Sequence, residues 1–180
     1  MAGFDPLLGR NKHFATTQAY QALPISPRRA VCVITCLDPR TDPAHLLELE
    51  LGDAAVIRNA GGRVTQAVID DLAFIGYLSE TVLRPEGPLF EVVVIHHNKC
   101  GTSFLADVDF RRKFATRVSG DEAALAAEAV TDPMQTVQHD VEVLRSSTVL
   151  PTKMIVSGHV YDVDTGLITT LVPPAPLRTS

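Results

Sequence analysis

Two stretches of this 180-residue sequence have the length of a β-strand and are apolar almost throughout: AVCVITC (30–36) and LFEVVVIH (89–96). Neither shows the apolar–polar alternation of a strand with one wet face, so both read as strands buried on both sides. AAVIRNAGG (54–62) reads as a shorter strand running into a glycine turn, KMIVSGHVYDV (153–163) as a further strand, and GLITTLV (166–172) as a last one. Segments with helical spacing separate them. Residues 7–22 form a helix ended by LPISPRR. DPAHLLELELG (42–52) has Asp42 as N-cap, Pro43 at the first helical position and Gly52 as a stop. In 65–80, Val68, Leu72, Ile75 and Leu78 recur at helical intervals behind Thr65 as cap, and 103–117, 121–130 and 133–146 also read as helices. Doubly buried strands separated by helices predict an α/β fold: a central, mostly parallel β-sheet flanked by helices. The expected organisation is an N-terminal helical arm (1–24), one α/β domain (25–172) and a loose Pro-rich tail, PPAPLRTS (173–180).

In such sheets the ligand site lies beyond the carboxyl ends of the strands. AVCVITC ends in Cys36, and VVVIHHNKC ends in His97 and Cys100. If these strands are neighbours, Cys36, His97 and Cys100 converge on one point. Two thiolates and one imidazole with a fourth position open are the ligand pattern of catalytic zinc; structural sites are closed by a fourth Cys or His. His96 is the one further candidate at chelating distance, and strand alternation turns it to the opposite face. Cys32 lies further from the strand end and reads as a small buried hydrophobe.

CLDPR adds Asp38 and Arg40 just past the end of the first strand. Two residues apart, they can pair through the guanidinium fork. Beside a metal, the carboxylate can either orient the attacking group or move onto the open position, and Arg40 decides between these by holding Asp38 away. Two thiolates cancel the formal charge of Zn²⁺, so a bound water should ionise above the ~7 typical of neutral ligand sets. A Cys-x5-Arg phosphatase loop is excluded, because the required arginine position holds Asp42.

Composition narrows the partners. The net charge is −5 with no basic block, which argues against a nucleic-acid surface. No apolar run approaches the ~20 residues that span a bilayer, and the N-terminus has no secretory core, so no membrane role and a cytoplasmic location are expected. Three cysteines without an export signal favour thiolate chemistry over a disulfide framework. His13, His45, His139 and His159 receive no role.

CLDPR, VIRNAGG, HHNKCG and VSGHVYDVDTGLI together resemble the β-class carbonic anhydrases of the short bacterial or fungal kind, over about residues 25–172. The resemblance implies that Cys36, His97 and Cys100 bind Zn²⁺ and that Asp38 and Arg40 form a catalytic dyad. It also implies that Ala60, Gly61 and Gly62 line a narrow substrate pocket, and that zinc-bound hydroxide hydrates carbon dioxide to bicarbonate. It further implies a homodimer or tetramer of dimers, with the N-terminal helix laid over the partner subunit. Hydrolases of carbonyl sulfide or carbon disulfide share the fold and ligands and are the alternative. A non-catalytic, bicarbonate-sensitive zinc protein is a weaker one, against which the intact Arg40 argues. Two departures lie at the mouth of the site: Asn98-Lys99 between the His and the Cys, and Pro39 within the Asp–Arg loop.

Overall fold

The computed structural model describes residues 3–83 and 89–178. In chain order it contains α1 (Asp5–Thr17), β1 (Val31–Cys36), α2 (Pro43–Leu46), β2 (Ala55–Asn59), α3 (Gln66–Leu78), β3 (Glu91–His97), α4 (Val108–Val118), α5 (Glu122–Ala127), α6 (Pro133–Ser146), β4 (Ile155–Tyr161) and β5 (Ile168–Pro176). The five strands form one sheet in the order β2-β1-β3-β4-β5. The first three pairings are parallel and β4–β5 is antiparallel. The predicted α/β class with a mostly parallel sheet is the observed one.

Apolar content on both strand faces explains the layering. Cys32 and Ile34 of β1 and Val92 and Val94 of β3 are buried on the face that meets Val68 and Leu72 of α3 and Val137, Val141 and Leu144 of α6. Val33 and Ile95 point the other way and pack with Tyr161, Leu46, Val163 and Ile168. At about 25 cal/mol per Å² of apolar area removed from water, these two clusters are the main favourable term in holding the sheet together.

Five elements differ from expectation. The helix predicted over 7–22 spans Asp5–Thr17 and stops where Gln18 takes the left-handed region at φ +57°. The helix predicted over 42–52 is a single turn: the Asp42 side chain caps Ala44 N at 3.0 Å, and the chain then turns through Glu48 in the left-handed region. The Asp53 carboxylate pulls it out of the helix by accepting from Glu50 N, Arg28 and Arg29. The helix predicted over 103–117 is split: a 3₁₀ turn covers Gly101–Ala106, and Asp107 caps α4 by accepting from Phe110 N at 2.8 Å. Thr65 sits at the N-cap of α3 but makes no capping side-chain bond. The Pro-rich tail is not loose, because β5 runs on through Pro176, paired with Ile155 of β4, and Leu177 is buried in the core. Prolines are tolerated there because β5 is an edge strand. Thr179 and Ser180 of the expected tail, and Met1 and Ala2 of the expected arm, lie outside the described residues.

α1 buries none of its residues against its own chain, leaving Phe4, Leu7, Leu8 and Phe14 exposed around it.

A buried polar cluster ties α6 to the turn after β2. Arg63 Nε and Nη2 donate to the two Asp140 oxygens, both at 2.9 Å, and Val64 N donates to Asp140 Oδ2 at 2.8 Å. His96 Nε2 lies 3.1 Å from Gly62 O and 3.2 Å from Asp140 Oδ2; both are acceptors, so Nε2 carries a proton. Burial alone would push the Asp140 carboxyl up, but the bonds from His96 and Arg63 overcome it and hold it at about 2 against an ordinary 3.8. The folded value is the lower one. The carboxylate therefore favours the folded state above the unfolded pKa, and this contribution is lost as pH falls through the folded pKa. Asp140→Asn is expected to be less stable at neutral pH by about 3 kcal/mol, because Arg63 is left buried without its counter-charge. It should also lose the part of the acid-unfolding slope that lies between about pH 4 and pH 2. Urea titrations across pH would read both effects.

Candidate metal centre

Parallel pairing sets β1 beside β3, with Thr35 opposite Ile95. The carboxyl ends of the two strands therefore lie side by side; Cys36 and His97 are their last residues, and Cys100 lies on the loop that leaves β3. Cys36, His97 and Cys100 are all buried, and one ligand atom from each lies within 4.8 Å of the others. Among the described residues this is the one group of three or more His, Cys, Asp or Glu side chains able to hold a metal ion. The two sulfurs are 3.8 Å apart.

The donor set fits a cation. His97 Nδ1 lies 2.8 Å from the carbonyl of Asn98, which only accepts, so Nδ1 carries the proton and Nε2 presents a bare lone pair. That Nε2 is buried and has no hydrogen-bond partner, an arrangement a coordination bond would satisfy. Contact with Cys36, and then with His97 and Thr102, draws the Cys100 thiol down towards the thiolate against its burial, while the same sulfur contact, followed by burial, pushes Cys36 up. The two sulfurs thus oppose each other's ionisation, and a cation between them would favour the thiolate form of both. Asp38 N also approaches Cys36 Sγ at 3.4 Å. Cys32 lies in the core below, where burial and then Asp71 push its thiol up to about 12.

Asp38 stands beside this cluster and is not part of it. Arg40 takes both its oxygens: backbone N and Nε donate to Oδ1, each at 2.9 Å, and Nη2 donates to Oδ2 at 2.6 Å. These bonds hold the Asp38 carboxyl at about 2, so it is ionised at neutral pH. Arg40 Nη2 also donates to the Lys99 carbonyl at 3.0 Å, linking the dyad to the loop that carries Cys100.

A cavity of about 380 Å³ opens beside Cys36 and Asp38, walled also by Ala60, Gly61, Phe110 and Phe114 among others, and its surface is almost wholly apolar. Ala60 and Gly61 are among the residues that line this cavity. Gly62 does not line the cavity. Its φ is +68° and a Cβ there would lie 2.8 Å from Cys36 N and Thr35 C, so Gly62 is the close backbone approach that sets the turn against β1.

Three groups around the site escaped sequence reasoning. Arg58 donates to the carbonyls of Cys36 at 3.0 Å and Asp38 at 2.7 Å and pairs with Asp42, clamping the CLDPR loop from β2. Its signal was an arginine inside an otherwise apolar strand. The Arg63–Asp140–His96 cluster braces the glycine turn, and only His96 had been singled out, for its orientation. The third is the partner of Asn98: the asparagine itself is visible in the sequence as a departure at the mouth of the site, but its reach to Asp162 and Val163 in the β4–β5 turn is not.

An α/β sheet whose strand ends present two cysteines, a histidine and an arginine-held aspartate defines a metal-dependent class of protein. A family model described as carbonic anhydrase matches residues 31–118. The crystal structure of a carbonic anhydrase from Streptococcus mutans superposes with a TM-score of 0.77 at 34% identity, covering 95% of this chain and 98% of that one. The β-carbonic anhydrase 1 of Mycobacterium tuberculosis is 29% identical over 84% of this chain and 87% of its own length. A carbon disulfide hydrolase from Acidianus is 26% identical over 78% and 76%. This chain belongs to the β-carbonic anhydrase family.

Cys36→Ser and His97→Ala are each expected to lower zinc affinity by about 10-fold or more, with the fold retained. Competitive titration against a chromophoric chelator would read this; undiminished affinity in either variant would remove that residue from the ligand set.

Proposed function

We propose that this protein catalyses the reversible hydration of carbon dioxide, CO2 + H2O ⇌ HCO3⁻ + H⁺, with Zn²⁺ held by Cys36, His97 and Cys100. The observation that carries this reading is a buried three-donor cluster beside an Asp38 carboxylate engaged by Arg40, with Cys36 and Asp38 both lining an apolar cavity. Bound there, the metal supplies Lewis acidity that makes water a nucleophile at neutral to alkaline pH.

The chain's own residues account for the rest. An ionised carboxylate only accepts hydrogen bonds. Asp38 Oδ1 is occupied by two donors from Arg40, whereas Oδ2 receives one and keeps an acceptor position free. Asp38 Oδ2 is therefore the atom able to take the hydrogen bond of the attacking group and point its lone pair at the substrate carbon. Arg40 keeps the carboxylate from competing with water for the open position. Ala60, Gly61 and the aromatic wall of Phe110 and Phe114 offer a small apolar molecule a place without polar competition. The same wall suits carbon disulfide, and a carbon disulfide hydrolase is among the relatives, so this substrate is the second reading.

α1 leaves its apolar residues exposed, and we read it as an arm over a second copy of the chain. Light scattering is expected to give a dimer or tetramer, and removal of residues 1–17 to lower that state. The free thiols of Cys32, Cys36 and Cys100 suit the reducing cytoplasm, which we take as the location.

Stopped-flow CO2 hydration on protein with one zinc per chain tests the function. Turnover should rise with pH through an apparent pKa above about 7, because two thiolates lower the effective charge of the metal. Asp38→Asn should keep its zinc and lose at least about 100-fold in turnover. Full zinc with no CO2 turnover at any pH, but with hydrogen sulfide released from carbon disulfide, would transfer the assignment to the second reading.

A further inference from the structure

The loop between His97 and Cys100 holds the two acceptors on which the geometry of the site depends, and both are main-chain carbonyls of consecutive residues. Asn98 O receives His97 Nδ1–H and so selects the nitrogen that faces the sulfurs. Lys99 O receives Arg40 Nη2 and so fixes the far end of the guanidinium that grips Asp38. Lys99 is in the left-handed region at φ +53°, a conformation that a residue with a Cβ keeps only when its surroundings impose it.

What imposes it is the turn between β4 and β5. Asn98 Nδ2 donates to Asp162 Oδ1 at 2.8 Å, Asn98 Oδ1 accepts from Val163 N at 2.9 Å, and Asn98 N donates to the Tyr161 carbonyl at 3.3 Å. Asp162 Oδ1 is itself fixed by Asp164 N at 2.9 Å. The Lys99 side chain adds a contact to Asp164 at 2.6 Å, but both side chains are more than half exposed, and such pairs hold little. The half-buried Asn98 amide is the stronger tie.

We propose that Asn98 and Asp162 are the positioning residues of this site, acting through the carbonyls of Asn98 and Lys99 to set the His97 tautomer and the Arg40–Asp38 pair. This rests on the reading of Cys36, His97 and Cys100 as ligands and of Asp38 and Arg40 as a dyad. The arrangement makes the β4–β5 hairpin, which contributes no ligand, a determinant of the metal geometry. It also accounts for an asparagine at the mouth of the site: a side chain with a donor and an acceptor is needed to face a carboxylate and a backbone N–H together.

The test uses the full chain loaded with Co²⁺, whose visible spectrum reports ligand geometry without turnover. Asn98→Asp keeps the acceptor for Val163 N but sets a second carboxylate against Asp162. The expected result is an altered cobalt spectrum and about a 10-fold loss of turnover. The activity profile should also move to higher pH, because a carboxylate no longer held by Arg40 would be free to act as a further donor to a metal held by Cys36, His97 and Cys100. Adding Asp162→Asn supplies the missing donor from the other side, though it gives up the acceptor for Asp164 N, and the double variant should regain spectrum and turnover in part. An unchanged spectrum and pH profile in Asn98→Asp, whatever its melting temperature, overturns the proposal. A double variant that regains stability without the spectrum does the same. Failure of the functional reading is separate: unaltered protein that binds cobalt but hydrates no CO2 refutes that activity, while the spectra still judge the positioning role. Unaltered protein that takes up no cobalt overturns both.

Discussion

Two sulfurs 3.8 Å apart and a bare imidazole nitrogen, all withdrawn from water, are an arrangement a folded chain maintains against its own electrostatics. Two close sulfurs oppose each other's ionisation, and the buried His97 Nε2 makes no hydrogen bond to the protein. The surrounding structure can be understood as what keeps these three groups together. The parallel register of β1 and β3 brings their loops side by side. Gly62 lets the neighbouring turn press on the backbone at Cys36, where any side chain would collide. The Arg63–Asp140–His96 cluster pins that turn to α6 from below.

Arginines do most of the positioning, and they do it largely through carbonyl oxygens. Arg58 spans the carbonyls of Cys36 and Asp38, Arg40 reaches the carbonyl of Lys99, and Arg63 reaches that of Ala127. A guanidinium offers several donors in a rigid plane, so one side chain can tie two strand-end loops together while also engaging a carboxylate. The consequence for chemistry is a division of labour between two aspartates. Asp140 is buried and fully engaged, and serves the fold. Asp38 is held by one partner at the edge of a cavity, with acceptor capacity remaining.

Much of this was legible in the sequence because it depends on local pattern. Doubly apolar runs such as AVCVITC and EVVVIHH announce buried strands, and a ligand at a strand's carboxyl end is a property of where the residue falls in the run. The placement of Cys36, His97 and Cys100 at or just past strand ends, and of His96 away from them, follows from the runs and their alternation. The capping potential of Asp42 was also correctly placed, but how far its helix extends was not. Asp53, Arg28 and Arg29 settle that with charges that lie elsewhere in the chain.

The sequence by itself determined the buried character of the strands, the candidate donors at their carboxyl ends and the Asp38–Arg40 pair, since each is written within a few consecutive residues; that Cys36 meets His97 and Cys100 depended on β1 pairing with β3. Tertiary structure decided what depends on residues far apart in the chain. It turned Gly62 from a pocket wall into a packing contact. It joined Arg63 to Asp140 across 77 positions, extended β5 through prolines that only an edge strand accommodates, and set Asn98 against Asp162. Hydrogen-bond partners of this kind are chosen by proximity after the strands have paired, and no local periodicity encodes them.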